Sequence, residues 1–363
     1  FCKSLGMNEQ GIISNIIDSL VIFSILGGVA TSLGLTIPLL SSLMSDLFVI
    51  TDSVYLKSGI LLLLCVVFAV STTLGVDKGI KKLSIFNSYL AIFFVLIVLF
   101  LGPMSFIFNI STNSIGLFMD NFFRLSFNLD PLKKTNWPQN WTVFYWAWWV
   151  AFTPMMAIFV TKVSKGRTIK QLIIAECIGG TLGCWLILAI LGAYSIYLQY
   201  YGILDISAII KTQGIHMACV EILHQLPMSK IVVSLYLLLA FIFSATTFDS
   251  SAYTLASISS MPSDEQKDPK IWLRVFWSIV LTIFAFSLLL LGIFKALQLS
   301  SLVFSIPMIP ITISCFYFFV KKARQENNLY AIADTSTPLD SLKSTTSETT
   351  PKIKMNTEKP VVR

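Results

Sequence analysis

Charged side chains are scarce in this sequence. Asp, Glu, Lys and Arg make up 12% of its 363 residues, about half the share usual in soluble domains. Histidine is scarcer still: His216 and His224 are the only two. They sit eight residues apart in one connection and read as surface residues without a ligand cluster. The six cysteines (Cys2, Cys65, Cys177, Cys184, Cys219 and Cys315) form no CxxC pair, and most fall inside apolar runs. That excludes a disulfide framework or a zinc site and reads as small apolar packing residues. The chain carries no glycine-rich nucleotide loop, no nucleophile with a base at catalytic spacing and no paired carboxylates. An enzyme is therefore not expected, and no cofactor is implied.

Apolar side chains dominate, at 55% of the chain. A chain this long cannot hide that much apolar surface in one soluble core, so lipid must be its solvent. The formal charge of +7 would suit a nucleic-acid binder if the basic residues were gathered. They lie instead in short clusters between apolar runs, which is how membrane topology is encoded, and nucleic acid is not an expected partner.

A transmembrane helix needs about 20 predominantly apolar residues. Eight stretches meet that criterion, roughly 16–40, 56–76, 85–108, 141–161, 172–198, 229–254, 272–295 and 301–320. The connections after the second, fourth, sixth and eighth carry Lys78/Lys81/Lys82, Lys162/Lys165/Arg167/Lys170, Lys267/Lys270/Arg274 and Lys321/Lys322/Arg324. All four fall on one side, which is thereby cytoplasmic, and both ends of the chain are expected there. Between 109 and 140, Ile115, Leu117, Phe118, Phe122, Phe123 and Leu125 form an amphipathic stretch suited to the outer membrane surface. Asp130-Pro131 and Trp137-Pro138 interrupt it. Residues 1–326 read as the membrane domain. From Asn327 the composition turns to Ser, Thr, Pro and Lys, and 327–363 read as a disordered cytoplasmic tail.

Trp141, Tyr145, Trp146, Trp148 and Trp149 fall within nine residues of one span. Trp141, near the helix start, suits an interfacial aromatic belt. Trp148 and Trp149 lie two turns further in, about 10 Å along the axis. Tyr145, Trp148, Trp149, Phe152 and Met156 follow i, i+3, i+4, i+7 and i+11 and share one largely aromatic face. The faces of such rings hold a cation that has no hydrogen-bond donor; the same stripe also serves as a packing face. Pro154 in this helix removes a backbone hydrogen bond, either as a plain kink or as the helix break that marks a transporter site. A second constellation is Ser244-Ala245-Thr246-Thr247-Phe248-Asp249-Ser250-Ser251. Hydroxyls and a carboxylate inside an apolar span invite a functional reading, because hard cations take oxygen ligands. The hydroxyls equally suit bonding back to the preceding turn.

The run Trp141 to Trp149, followed by Lys165-Gly166-Arg167-Thr168, resembles the signature of the betaine/carnitine/choline transporter family. The resemblance covers roughly residues 10–325 and includes Thr31-Ser32-Leu33-Gly34-Leu35, Lys78-Gly79 and Tyr253-Thr254-Leu255. It implies an all-α membrane protein with a LeuT-like inverted-repeat fold of about twelve helices, often assembled as a homotrimer in the cell membrane. The eight stretches here would be the last eight, and the chain, which opens on Phe1, is expected to lack the first four. It implies further that Trp148 and Trp149 are central substrate-site residues, that Phe152 stands where relatives carry Tyr or Trp, and that Met156 matches a methionine of carnitine-type members. Thr246 and Thr247 resemble a Thr-Ser pair that supplies sodium ligands in sodium-coupled relatives. Sodium-independent antiporters carry an arginine where this chain has Asn87. The expectation is secondary transport of a quaternary-ammonium compound (glycine betaine, choline or carnitine), with sodium as the coupling ion. Ile25 and Val29 stand where some relatives place hydroxyls for a second sodium. The alternatives are a sodium-independent antiporter, or a non-transporting remnant or membrane sensor.

Overall fold

The computed structural model describes residues 11–74, 80–132, 134–164, 166–260, 269–291 and 294–335. Among these, every regular element is helical. Helix α1 spans Ile12–Phe48, α2 Val54–Leu74, α3 Ile80–Leu101, α4 Met104–Asp120, α5 Phe122–Ser126 and α6 Val143–Val163. Helix α7 runs Ile169–Tyr200 through two π-helical stretches, Ala175–Gly180 and Leu188–Gly192. Then come α8 (Ile206–Thr212), α9 (Ile215–His224), α10 (Ser229–Ile258), α11 (Ile271–Leu291), α12 (Phe294–Ser305) and α13 (Met308–Thr335).

Helices α1, α3, α6, α7, α10 and α11 include stretches long and apolar enough to cross a membrane. Among the described residues, the bent pair Gln298–Ser305 and Met308–Gln325, which meet at 41°, adds a seventh crossing if it counts as one span. Eight spans are expected from the sequence, and two of those stretches are interrupted locally. The stretch 301–320 is not one helix: it breaks at Ile306-Pro307, where proline has no N–H to continue the ladder. The stretch 85–108 ends early, at Leu101, because Gly102-Pro103 interrupts it and α4 starts afresh. Helix α2 runs 21 residues, Val54–Leu74, and its side chains beyond Val67 lie outside the described ones. At the C-terminus α13 continues to Thr335, past the tail boundary read at 326. Ala323 to Ala333 contains no Gly or Pro, so nothing local stops the helix. Residues 336–363 lie outside the described ones, as do Lys78, Gly79, Lys165 and Lys267.

Helix α1 is the axis of the bundle. In its most apolar window 61% of residues are buried, against 6% in α7, which lies at the periphery. Gly27 and Gly28 explain the close packing. A Cβ on Gly27 would stand 2.1 Å from Phe304 Cδ2, and one on Gly28 would stand 2.9 Å from Phe152 Cδ2. Two bare positions thus let rings from α12 and α6 lie against the α1 backbone, as small residues do at membrane helix contacts. Hydroxyls tie the same helices: Ser24 donates to the Ala151 carbonyl at 3.2 Å, and Thr31 and Ser301 share a buried hydrogen bond of 2.8 Å.

At one end of α1, polar contacts gather. Asp46 meets His224 at 2.8 Å. Asp52 accepts from Ser41 at 2.6 Å and pairs with Lys57 at 3.2 Å. The histidines are therefore not free surface residues. His224 joins α9 to α1, and burial, with a smaller contribution from Lys57, holds the His216 imidazole below its usual range against the opposing pull of Asp52. The amphipathic stretch at 109–140 is α4 and α5, with Phe122, Phe123 and Leu125 exposed.

Candidate functional site

Four helices, α1, α3, α6 and α10, line a half-open cavity of about 440 Å³. Trp148, Trp149, Phe152 and Met156 from α6 line it together with Thr246 and Thr247 from α10. The two constellations picked out of the sequence, roughly a hundred residues apart, thus share one chamber. Tyr145 does not reach it. It packs edge-on against Trp148 at 6.0 Å and is 48% exposed. Pro154 lies within α6 without breaking it.

The aromatic wall is held by α1. Trp148 donates its indole N–H to the Gly28 carbonyl at 3.1 Å. Its ring stacks on the buried Phe144 at 5.7 Å and 13° and meets Phe152 edge-on at 6.3 Å. Three aromatic contacts and one hydrogen bond fix its orientation. Trp149, the next residue, is turned about 100° away and is 58% exposed.

The polar part of the lining is made of hydroxyls, and those of α1 and α10 have their protons committed elsewhere. Thr246 and Thr247 both donate to the Phe243 carbonyl at 3.0 Å. Ser244 donates to Ala240, Ser250 to Thr246, Thr36 to Ser32 and Ser32 to Gly28, each to a backbone carbonyl of its own helix. This is the back-bonded arrangement open to helical Ser and Thr. A hydroxyl has one proton and two lone pairs, so these oxygens face the cavity as acceptors. None of the described residues lining it is charged. Such a chamber suits cations of two kinds: a soft, weakly hydrated one against the rings and a hard one among the oxygens. Val29 lines the cavity and Ile25 is fully buried, so these two positions of α1 supply no oxygen side chain.

Helix α3 contributes Ser84 to the lining. Phe94 of α3 stacks on Tyr236 of α10 at 5.1 Å and pins the two antiparallel helices in register. Asn87 is buried, and its Oδ1 accepts no hydrogen bond from the described residues.

A family model described as "BCCT, betaine/carnitine/choline family transporter" matches residues 1–328. The chain belongs to the betaine/carnitine/choline transporter family. It is a multi-pass α-helical membrane protein. One relative is the uncharacterized transporter YeaV of Escherichia coli (strain K12), 34% identical over 287 residues that cover 79% of this chain and 60% of that protein. Another is a carnitine transporter of Acinetobacter baumannii, 32% identical over 317 residues that cover 87% of this chain and 58% of that protein. The chain thus spans about three-fifths of the length of these curated relatives.

One pair of residues escaped the sequence reading. Asp249 of α10 and Arg274 of α11 meet at 3.5 Å with both side chains buried. Arg274 had been counted among the topology-setting loop charges. It is instead part of α11, and the signal was present in Ile271-Trp272-Leu273-Arg274-Val275-Phe276, where apolar residues flank it on both sides. A cytoplasmic topology charge would face water.

Proposed function

We propose that the complete protein is a secondary transporter of a quaternary-ammonium solute (glycine betaine, choline or carnitine), coupled to sodium. The observation that carries this reading is the shared cavity, in which an aromatic wall from α6 faces acceptor oxygens from α10. A trimethylammonium group offers no hydrogen-bond donor and is weakly hydrated, so ring faces recognise it. Sodium would sit among hydroxyl oxygens at Thr246 and Thr247, with Asn87 in place of the arginine of sodium-independent relatives. The relative named as a carnitine transporter supports a zwitterion of that class. Alternating access in a LeuT-like inverted-repeat fold would then expose the cavity to each side in turn. The reading extends to a homotrimer in the cell membrane, with the Lys/Arg-rich connections cytoplasmic.

The test is uptake of labelled carnitine and glycine betaine by the full-length protein in proteoliposomes, under an inward sodium or potassium gradient. Uptake several-fold faster with sodium is expected. Equal rates in the two gradients would replace symport with substrate exchange. No uptake of any quaternary-ammonium solute in either condition, with or without substrate inside, would leave the membrane-sensor reading.

A further inference from the structure

Asp249 and Arg274 are both about 3% exposed, among helices that are otherwise apolar. Burying two charges costs about as much as their attraction returns, so such a pair adds little net stability. What a buried pair does provide is fixed geometry. Arg274 Nη2 meets Asp249 Oδ1 at 3.5 Å, and Nε meets no acceptor among the described residues. The guanidinium also lies over the Tyr253 ring, 5.3 Å from its centroid. Arg274 therefore grips α10 at two positions one turn apart. Between Thr246 and Tyr253 lies the turn whose hydroxyls line the cavity. Asp249 is flanked by Phe248 and Ser250, both of which line it, while Asp249 does not. From the far face of the same turn, Ser251 donates to the Thr247 carbonyl at 2.6 Å and touches Met155 Sδ at 3.0 Å. The turn is thus held by α11 on one side and α6 on the other.

We propose that Asp249 and Arg274 are a positioning pair that sets the height and rotation of the Thr246–Ser250 turn, and so the affinity of the cavity for what binds there. This rests on the cavity being the transport site, but not on sodium being the ion. The pair touches neither substrate nor ion. It acts through the backbone of α10, as outer partners orient the ligands of an ion site.

The experiment is a variant series in the full-length protein: Asp249→Asn/Arg274→Gln, Arg274→Lys and Asp249→Glu. Half-saturating sodium, half-saturating labelled substrate, maximal uptake rate and melting temperature are measured for each. The double variant removes both charges together, so neither member of the pair is left charged without the other, and its melting temperature is read beside the uptake. Its half-saturation should rise about tenfold or more, with the maximal rate kept. Arg274→Lys, which keeps a cation facing the Asp249 carboxylate, should shift half-saturation less than the double variant. Asp249→Glu displaces the carboxylate by one methylene without removing charge, and should shift half-saturation in the same direction even if the double variant fails to fold. Parental half-saturation for sodium and substrate in every variant that folds would overturn the proposal. Sodium-independent uptake by the parent would sink the symport reading alone, because substrate half-saturation still decides the role of the pair.

Discussion

Trp148→Ala is expected to weaken binding of a trimethylammonium substrate about thirtyfold in the full-length protein. A desolvated cation against an aromatic face gains about 2 kcal/mol, and that energy corresponds to the stated factor. Trp148 is chosen because it is the ring the fold fixes most firmly, through the Gly28 carbonyl, Phe144 and Phe152. Trp148→Phe separates the two parts of its role. It keeps a ring against the substrate but gives up the N–H bond to α1, so its loss should be smaller. Tyr145→Ala is the internal comparison, since Tyr145 sits outside the cavity and should matter little. Isothermal titration or scintillation proximity binding reads all three. Unchanged affinity in Trp148→Ala would make the stripe a packing face.

Thr246→Val should raise the sodium concentration for half-maximal uptake by at least about tenfold. The substitution preserves shape and deletes one oxygen, and even outer-shell losses at ion sites cost that much. The hydroxyl proton is already spent on the Phe243 carbonyl, so what valine removes from the cavity is lone pairs. That backbone carbonyl also receives Thr247, and the loss to folding should stay near about 1 kcal/mol. A melting curve beside the uptake curve tells the effects apart. Sodium half-saturation at the parental value in Thr246→Val, with uptake still sodium-dependent, would move the ion elsewhere.

Much of the site was legible because membrane physics makes certain residues conspicuous. Trp148 and Trp149 stood out as aromatic residues too deep for an interfacial belt, and Thr246 and Thr247 as adjacent hydroxyls in an apolar run. Periodicity placed each set on a helix face. It gave no distance between them, because the packing of α6 against α10 depends on contacts that no local pattern encodes. Tyr145 shows the limit: its spacing put it on the aromatic face, but the cavity starts a turn further along α6. Helix breaks at Gly102-Pro103 and Ile306-Pro307 were readable as Pro positions. A count of apolar residues ran across both. Arg274 was misplaced for a related reason. A basic residue near a helix end is usually topogenic, and only the position of Asp249 on a neighbouring helix makes it a buried partner.

The most direct measurement of the central claim, that this cavity holds a quaternary cation by its aromatic wall, is a comparison of two ligands of one shape. Choline and its neutral isostere, with a tert-butyl group in place of trimethylammonium, compete against labelled substrate on the full-length protein. Apolar contact is nearly equal for the two, so the difference reports the charge against the rings. The account predicts that the neutral isostere binds about thirtyfold more weakly. Equal inhibition by the two ligands would contradict it.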